Sequence, residues 1–509
     1  ADGVRYSTSA GKFIDGKQVN VMGDGLIVAA IPHWTSREDD MMLHTHLVIF
    51  NGVQGPDGKW RAFDDRQFSY AEWAGSFYRN ELAKLTQEAG YRIREVALPD
   101  GGYSFEIEGI SRSEIEHFSK RSMQIAEAAE VKGVERNAVV LTTRKAKRIS
   151  KTWQEFRDGL TQEMEHRGVE LQTPSNQPIE NPIGRTDAAA EIDSAIRHLS
   201  ERSVSFKRED LLKYALDHMQ QFELSEVDAA IDSHPELIEA QDKKRFTTVD
   251  ALSREIRTIQ TWEKGKGRAN PVLNEVAALN ALESLREVGL NQGQAEAIVG
   301  VLSATDRHLI IHGLAGVGKT TALRQLKHLI EENGSTLTIR GYSPTIKAAK
   351  HLGAEMGIET NTVEHLVLKT VKGTQNELWI IDEAGMASAR QMEAVLSKAD
   401  EIGARILLVG DTNQNHSIEA GSPMKSLMKY GVTAFNIHEI IRQKDENQKR
   451  AVELASSGHG TEALSLLCEH GWVKEIEDCN ARAQAAAQEW LSLSPEDRDD
   501  TLIVTGTNA

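Results

Sequence analysis

The chain has 509 residues, room for three or four domains, and its 40% hydrophobic and 27% charged content describes a folded globular protein. A net charge of −17, from 59 basic and 76 acidic residues, excludes a protein that coats nucleic acid by bulk charge. It leaves room for a DNA enzyme whose groove alone is basic. No apolar run reaches membrane-spanning length, the first five residues lack the pattern of a signal peptide, and the two cysteines, Cys468 and Cys479, match no metal spacing and fit a reducing cytoplasm.

Two apolar runs open the chain. Residues 25–32 end at His33, and residues 43–50 carry His44 and His46. Both runs read as strands, and residues two apart on a strand share a face. The polar stretch 34–42 reads as the loop of a long hairpin. Pairing the strands would set His33 across from His44 and His46. Three imidazoles could then hold one divalent cation with coordination positions left open, and an open position beside a basic loop suits a phosphate oxygen. Spacing alone is a weak signal, because His-x-His pairs are common by chance.

Helical periodicity follows over residues 69–88. Residues 91–96 and 103–107 alternate, and Pro99-Asp100-Gly101-Gly102 between them signals a hairpin. Ser111 or Ser113 opens a helix to about Val131. The segment with Arg144, Lys145, Lys147, Arg148 and Lys151 is the densest positive stretch. A solvated helix face is the ordinary reading of such a run. Residues up to 168 read as an antiparallel sheet with flanking helices; 169–186, with Pro174, Pro178 and Pro182, read as a linker; 187–289 read as mostly helical.

From Leu290 the pattern changes. The apolar run 308–312 leads into Gly313-Leu314-Ala315-Gly316-Val317-Gly318-Lys319-Thr320 and then a helix to about Glu332. Strand, glycine-rich loop and helix in that order define a P-loop. Gly313, Gly316 and Gly318 let backbone N–H groups surround phosphates, Lys319 adds a fixed charge, and Thr320 ligates Mg²⁺. A second apolar run ends at Asp382-Glu383, where Asp382 would hold the Mg²⁺ through water and Glu383 would orient and deprotonate the attacking water. A third, 406–409, runs into Gly410-Asp411-Thr412-Asn413-Gln414. Three apolar strands ending in functional residues place them along one carboxyl edge of a parallel sheet, where ligands bind.

The first half carries His33-x-Thr35-Ser36-Arg37, Leu43-His44-Thr45-His46 and Asn51. It also carries the runs 57–62, 78–83, 105–110 and 143–147. These resemble the conjugative relaxases fused to a helicase, the MobF (TraI/TrwC-like) class. Met41-Met42 departs from the family's Pro-Gln, which alters the loop and leaves the histidines in place. The second half resembles a superfamily 1 helicase of the 5′→3′ type. On that resemblance Gln294 reads adenine, Ser343-Pro344-Thr345 touches single-stranded DNA, Gln414 couples γ-phosphate to DNA, and Arg442 reaches the γ-phosphate.

Together the resemblances imply a HUH relaxase sheet, a helical region with a possible winged-helix fold, a RecA-like domain at 290–430, and the start of a second at 431–509. They imply Mg²⁺ or Mn²⁺ at His33, His44 and His46, and ATP with Mg²⁺ at the motor. Arg37, Arg144, Lys145 and Lys147 are expected to touch DNA phosphates, and Pro344 and Thr345, separately, single-stranded DNA at the motor. The function implied is strand-specific nicking at a transfer origin coupled to 5′→3′ unwinding. The expected partners are single-stranded and duplex DNA, relaxosome accessory proteins and a type IV secretion coupling protein. The expected location is the bacterial cytoplasm, with export alongside DNA. None of the eight tyrosines matches the family's nucleophiles, so the chain reads as an interior portion that cannot nick by itself. Two other readings compete: a repair-type 5′→3′ helicase with a degenerate nuclease-like domain, and a non-catalytic relaxosome scaffold.

Overall fold

In the computed structural model the described residues are 9–14, 17–22, 27–36, 40–62, 71–98, 102–132, 139–140, 152–169, 173–175, 187–217, 222–241, 245–314, 316–368, 374–414, 417 and 419–504. They form two compact units, 1–251 and 252–509.

The first unit begins with antiparallel pairs. β1 (Ser9–Ile14) pairs with β2 (Lys17–Met22), and β3 (Val28–Thr35) with β4 (Met41–Ile49). β5 (Val53–Gln54) pairs with β6 (Trp60–Arg61). Helix α1 (Ala71–Glu88) follows, then the hairpin of β7 (Ile93–Ala97) and β8 (Tyr103–Ile107). The hairpin is the one the alternating runs signalled, with Ile93 opposite Ile107; residues 99–101 lie outside the described residues.

The helix expected from Ser111 to Val131 is two helices. Ser111 caps α2 (Arg112–His117) in a capping box with Glu114, which satisfies two otherwise orphaned N–H groups. The chain then turns at Phe118–Ser119, where the Ser119 hydroxyl donates to the Ile115 carbonyl at 2.6 Å. α3 (Lys120–Lys132) starts afresh, and a capping box of Thr152 and Glu155 opens α4 (Trp153–His166).

Residues 187–248 run α5 (Ala188–Arg202), β9 (Phe206–Lys207), α6 (Arg208–Asp217), α7 (Leu224–Ser233), β10 (Leu237–Glu239) and β11 (Arg245–Thr248). The three strands form an antiparallel sheet in the order β10-β11-β9. Helix, strand, two helices and two strands is the order of a winged-helix module. Its core gathers Ile192, Leu211, Leu212, Phe222, Val227 and Ile231, and Phe77 of α1 packs against it. The region expected as one helical body, 187–289, is therefore divided: residues up to 251 belong to the first unit and the rest to the second.

α8 (Val249–Lys264), α9 (Glu275–Glu287) and α10 (Gln292–Ser303) lead into the second unit's sheet. Its elements are β12 (His308–Gly313), α11 (Lys319–Glu332), β13 (Thr338–Ser343), α12 (Ile346–Met356), β14 (Glu359–Thr362), α13 (Val363–Leu368), β15 (Glu377–Ile381), α14 (Ala389–Ile402), β16 (Arg405–Gly410), α15 (Pro423–Tyr430) and β17 (Ala434–Ile437). The sheet order is β14-β13-β15-β16-β12-β17, with every pair parallel. Its two faces follow the period of two: Leu309, Ile311, Leu378, Ile380, Leu407 and Val409 join one apolar layer, and Ile310, Trp379, Ile381, Ile406 and Leu408 the other. Both faces are covered, so the strands read as continuous apolar runs.

The expected boundary at 430 needs correction. β17 pairs with β12, Ile311 opposite Phe435, so 434–437 complete the first sheet instead of opening a second domain. Beyond it come helices α16 (Glu446–Ser456), α17 (Gly460–Glu469), α18 (Cys479–Leu491) and α19 (Pro495–Asp499). The apolar run 501–504 is not a strand; Leu502 and Val504 are each 83% exposed, and a strand needs a partner ladder to satisfy its backbone.

Candidate functional sites

The first site is built by the β3–β4 ladder. His33 stands directly opposite His44, and Ile31 opposite His46. That register puts all three imidazoles on one face. Their ring centroids lie 5.3 Å apart for His33 and His44, 4.7 Å for His33 and His46, and 5.0 Å for His44 and His46. One ligand atom from each falls within 4.8 Å of the others, and no other such cluster occurs among the described residues. The His44 Nδ1–H donates to the Met42 carbonyl at 2.7 Å. This fixes ring orientation and leaves Nε2 as the lone-pair nitrogen, the arrangement in which a backbone carbonyl orients a metal-ligating histidine. The donor set fits a divalent ion held by three neutral imidazoles with a position open to substrate.

Asp40, which sequence reasoning missed, holds the hairpin end in place. The Ser36 N–H donates to the Asp40 carbonyl at 2.9 Å, and the Ser36 hydroxyl donates to the Asp40 carboxylate at 3.2 Å. The same carboxylate, only 4% exposed as a residue, accepts the Arg121 N–H at 3.3 Å and pairs with Lys120 at 3.5 Å. It thus sits at the N-terminus of α3, where the helix dipole favours a negative charge. A ladder irregularity between His33 and Thr35 lets the strand bend into this clasp. The available signal was Ser36-x₃-Asp40 between two strands. Arg37, Arg144, Lys145 and Lys147 lie outside the described residues.

The second site lies at the carboxyl edge of the parallel sheet. Gly316 and Gly318 have φ of +79° and +77°, a conformation that glycine alone adopts without strain. The Lys319 ammonium donates to the Gly313 carbonyl at 2.8 Å and the Leu314 carbonyl at 3.1 Å, spanning the loop from within. Thr320 follows on the first turn of α11, whose N-terminus attracts anions.

Asp382 and Glu383 end β15. Burial, then the neighbouring Glu383 charge, pushes the Asp382 carboxyl up to about 6, while Lys319 pulls the other way. A cation beside it would reverse that penalty. Glu383 has φ of +53°, the one non-glycine residue with positive φ among the described residues, which costs about 1 kcal/mol or more. The turn it makes presses Gly385 against β16: a Cβ on Gly385 would lie 2.5 Å from the Asp411 carbonyl.

At the end of β16 the Gln414 amide donates to Asp411 at 3.0 Å. Thr345 caps α12 by accepting from the Ala348 N–H, and Pro344 precedes it at the same sheet edge. Arg442 is brought to the P-loop: its N–H and that of Ile441 donate to the Gly316 carbonyl at 3.0 and 2.9 Å. Gln294 takes a different position from an open adenine reader. It is 3% exposed, donates to the Val317 and Gly318 carbonyls at 3.0 and 3.3 Å, and accepts from the Asn291 N–H at 3.1 Å. As it stands it braces the P-loop, and contact with an adenine edge requires its amide to leave those carbonyls.

The chain thus carries an imidazole cluster on an antiparallel hairpin and a P-loop edge on a parallel sheet, the marks of a relaxase-type domain and a P-loop domain. Family comparison gives the same pair: residues 7–167 match the TrwC relaxase family and residues 289–478 match an AAA domain. The chain is homologous to the TraA and TraI conjugative relaxase–helicases. It is 28% identical to the conjugal transfer protein TraA of Agrobacterium fabrum over 177 residues, 34% of this chain and 16% of that protein. It is 22% identical to the multifunctional conjugation protein TraI of Escherichia coli over 462 residues, 83% of this chain and 24% of that protein. A solved structure of the conjugative relaxase TrwC in complex with oriT DNA aligns at 31% identity over 33% of this chain and 59% of that one, with a TM-score of 0.30. The chain thus spans at most about a quarter of the TraA and TraI proteins it matches. Among the described residues no helix is long and apolar enough to cross a membrane.

Proposed function

We propose that this chain serves conjugative DNA transfer, in a protein that cuts one strand at a transfer origin and then unwinds the duplex with ATP. The observation that carries this is the three-imidazole cluster of His33, His44 and His46 within a TrwC relaxase domain, on the same chain as a P-loop motor. The relaxase match argues against a repair helicase with a degenerate first domain. The converging ligands argue against a scaffold without chemistry.

His33, His44 and His46 would hold the divalent cation, which when bound supplies Lewis-acid polarisation of a phosphodiester. Mg²⁺ or Mn²⁺ is our assignment on family grounds, although imidazole donors also suit Zn²⁺, Ni²⁺ and Cu²⁺. Arg37, Arg144, Lys145 and Lys147 would neutralise DNA phosphates around it. At the motor, Gly313, Gly316, Gly318 and Lys319 would cradle the ATP phosphates, with Gln294 at the loop's back. Thr320 and Asp382 would hold Mg²⁺, and Glu383 would orient and accept a proton from the attacking water. Gln414 and Arg442 would sense the γ-phosphate, while Pro344 and Thr345 touch single-stranded DNA. Unwinding would run 5′→3′. The partners would be origin DNA, relaxosome accessory proteins and a secretion coupling protein, met in the bacterial cytoplasm before export.

The test is cleavage of a single-stranded origin oligonucleotide by the full-length protein with a divalent cation. His44→Ala should reduce cleavage by roughly 10³-fold, the several kcal/mol a metal contributes, and leave ATP turnover intact. Lys319→Ala should do the reverse. Cleavage that survives His44→Ala unchanged would refute the assignment.

A further inference from the structure

We propose that His312 is a positioning residue that ties the Gln414 end of β16 to the segment carrying Arg442, so that nucleotide and DNA are felt together. This rests on the motor reading above. β12 lies between β16 and β17, and His312 is in register with Gly410 on one side and Asn436 on the other. All three strands end at the edge where the P-loop begins. The imidazole fills the gap between its neighbours. Its Nδ1 lies 3.3 Å from the Asn436 side-chain oxygen, and its Nε2 lies 3.2 Å from the Thr412 hydroxyl and 3.9 Å from the Asp411 carboxylate.

One tautomer satisfies both sides: Nδ1–H donates to Asn436, and the Thr412 hydroxyl donates to Nε2. Asp411 in turn accepts from the Gln414 amide at 3.0 Å and the Asn413 N–H at 2.9 Å. On the other side, Asn436 precedes Ile437 by one residue, and that stretch continues to Ile441 and Arg442, whose N–H groups bind the Gly316 carbonyl of the P-loop. The polar path therefore runs from Gln414 through Asp411 and Thr412 to His312, and on to Asn436. Both ends reach groups assigned to γ-phosphate sensing, and the contacts His312 makes are to Asn436, Thr412 and Asp411. An imidazole does this because it donates at one edge and accepts at the other. A leucine fills the space and does neither. The sequence offered one sign, a polar residue closing the otherwise apolar run 309–311 immediately before Gly313.

The experiment measures the affinity of the full-length protein for a fluorescent non-hydrolysable ATP analogue, with and without oligothymidylate. The ratio of the two affinities is the linkage factor. His312→Leu should keep nucleotide affinity without DNA to within about twofold and bring the linkage factor close to one, a loss of about tenfold from a typical coupling. His312→Gln, which keeps a donor and an acceptor, should recover part of it. Asn436→Ala should lower the factor, and the His312→Leu/Asn436→Ala pair should be no worse than His312→Leu alone, as residues in one network behave. An unchanged factor in His312→Leu overturns the proposal. So do additive losses that follow a falling melting temperature, which mark a role in stability alone. If the wild-type protein shows no linkage at all, the motor reading fails and takes this proposal with it.

Discussion

Asp382 shows how a single residue can work against the stability of the unit it serves. Its folded-state carboxyl lies at about 6, raised from the ordinary 3.8, so between those values the folded chain holds a proton that the unfolded chain has lost. Stability from this group is therefore greatest below pH 4, falls as pH rises through 6, and stays low above it. Asp382→Asn should raise the stability of the motor unit at pH 7 by about 1–3 kcal/mol and give no gain at pH 4, while abolishing ATP turnover. Denaturant unfolding at the two pH values checks this; a destabilised variant at pH 7 would contradict it. For the wild type, Mg²⁺–nucleotide affinity should weaken as pH falls below 6, because a proton then competes with the cation. The place of Asp382 directly after a buried strand was legible, since two acids follow an apolar run there. The positive φ of Glu383 was not, because it follows from Gly385 packing on β16. His33, His44 and His46 were legible for a simple reason: strand period fixes facing, and one loop fixes register.

At the level of elements, what the sequence hid were contacts between distant segments. α1 and α6 are joined by Asp217, which is 7% exposed and accepts from Ser76, from Arg79 at 3.1 Å and from Lys213 at 2.7 Å. Nearby, the Asn80 amide donates to the Phe222 carbonyl at 3.1 Å, and Lys84 pairs with Glu223. Asp217 and Ser76 are 141 residues apart, and no local pattern announces such a pair. It is also why the winged-helix module sits with the first unit and not with the motor, whatever its place in the chain suggests. Asp217→Ala leaves Ser76 and Arg79 facing a buried gap and should destabilise the first unit by about 2–4 kcal/mol. Ser76→Ala removes one donor and should cost about 1 kcal/mol. Urea unfolding of both variants tests this, and equal stability of Asp217→Ala and wild type would show the clasp to be idle. β17 carries the same lesson on a smaller scale. Residues 434–437 were read as part of a second domain, and only the parallel ladder with β12 says which sheet they complete.

For the molecule as a whole, two proposed sites share one acidic chain. A net charge of −17 means that attraction to any phosphate ligand must come from local groups, and the two proposed sites supply them by different means. One uses a cation held by neutral imidazoles, and the other uses glycine backbone, Lys319 and a helix N-terminus. The central claim is that His33, His44 and His46 grip one divalent ion. The most direct measurement is binding of Mn²⁺ to the purified, metal-stripped protein, read by electron paramagnetic resonance in the absence of nucleotide and repeated with Ni²⁺ and Zn²⁺ by calorimetry. One ion per chain is expected, lost when all three histidines are replaced by alanine and retained in Asp382→Asn. An ion that survives the triple substitution, or no binding of any of the three metals by the wild type, would contradict it.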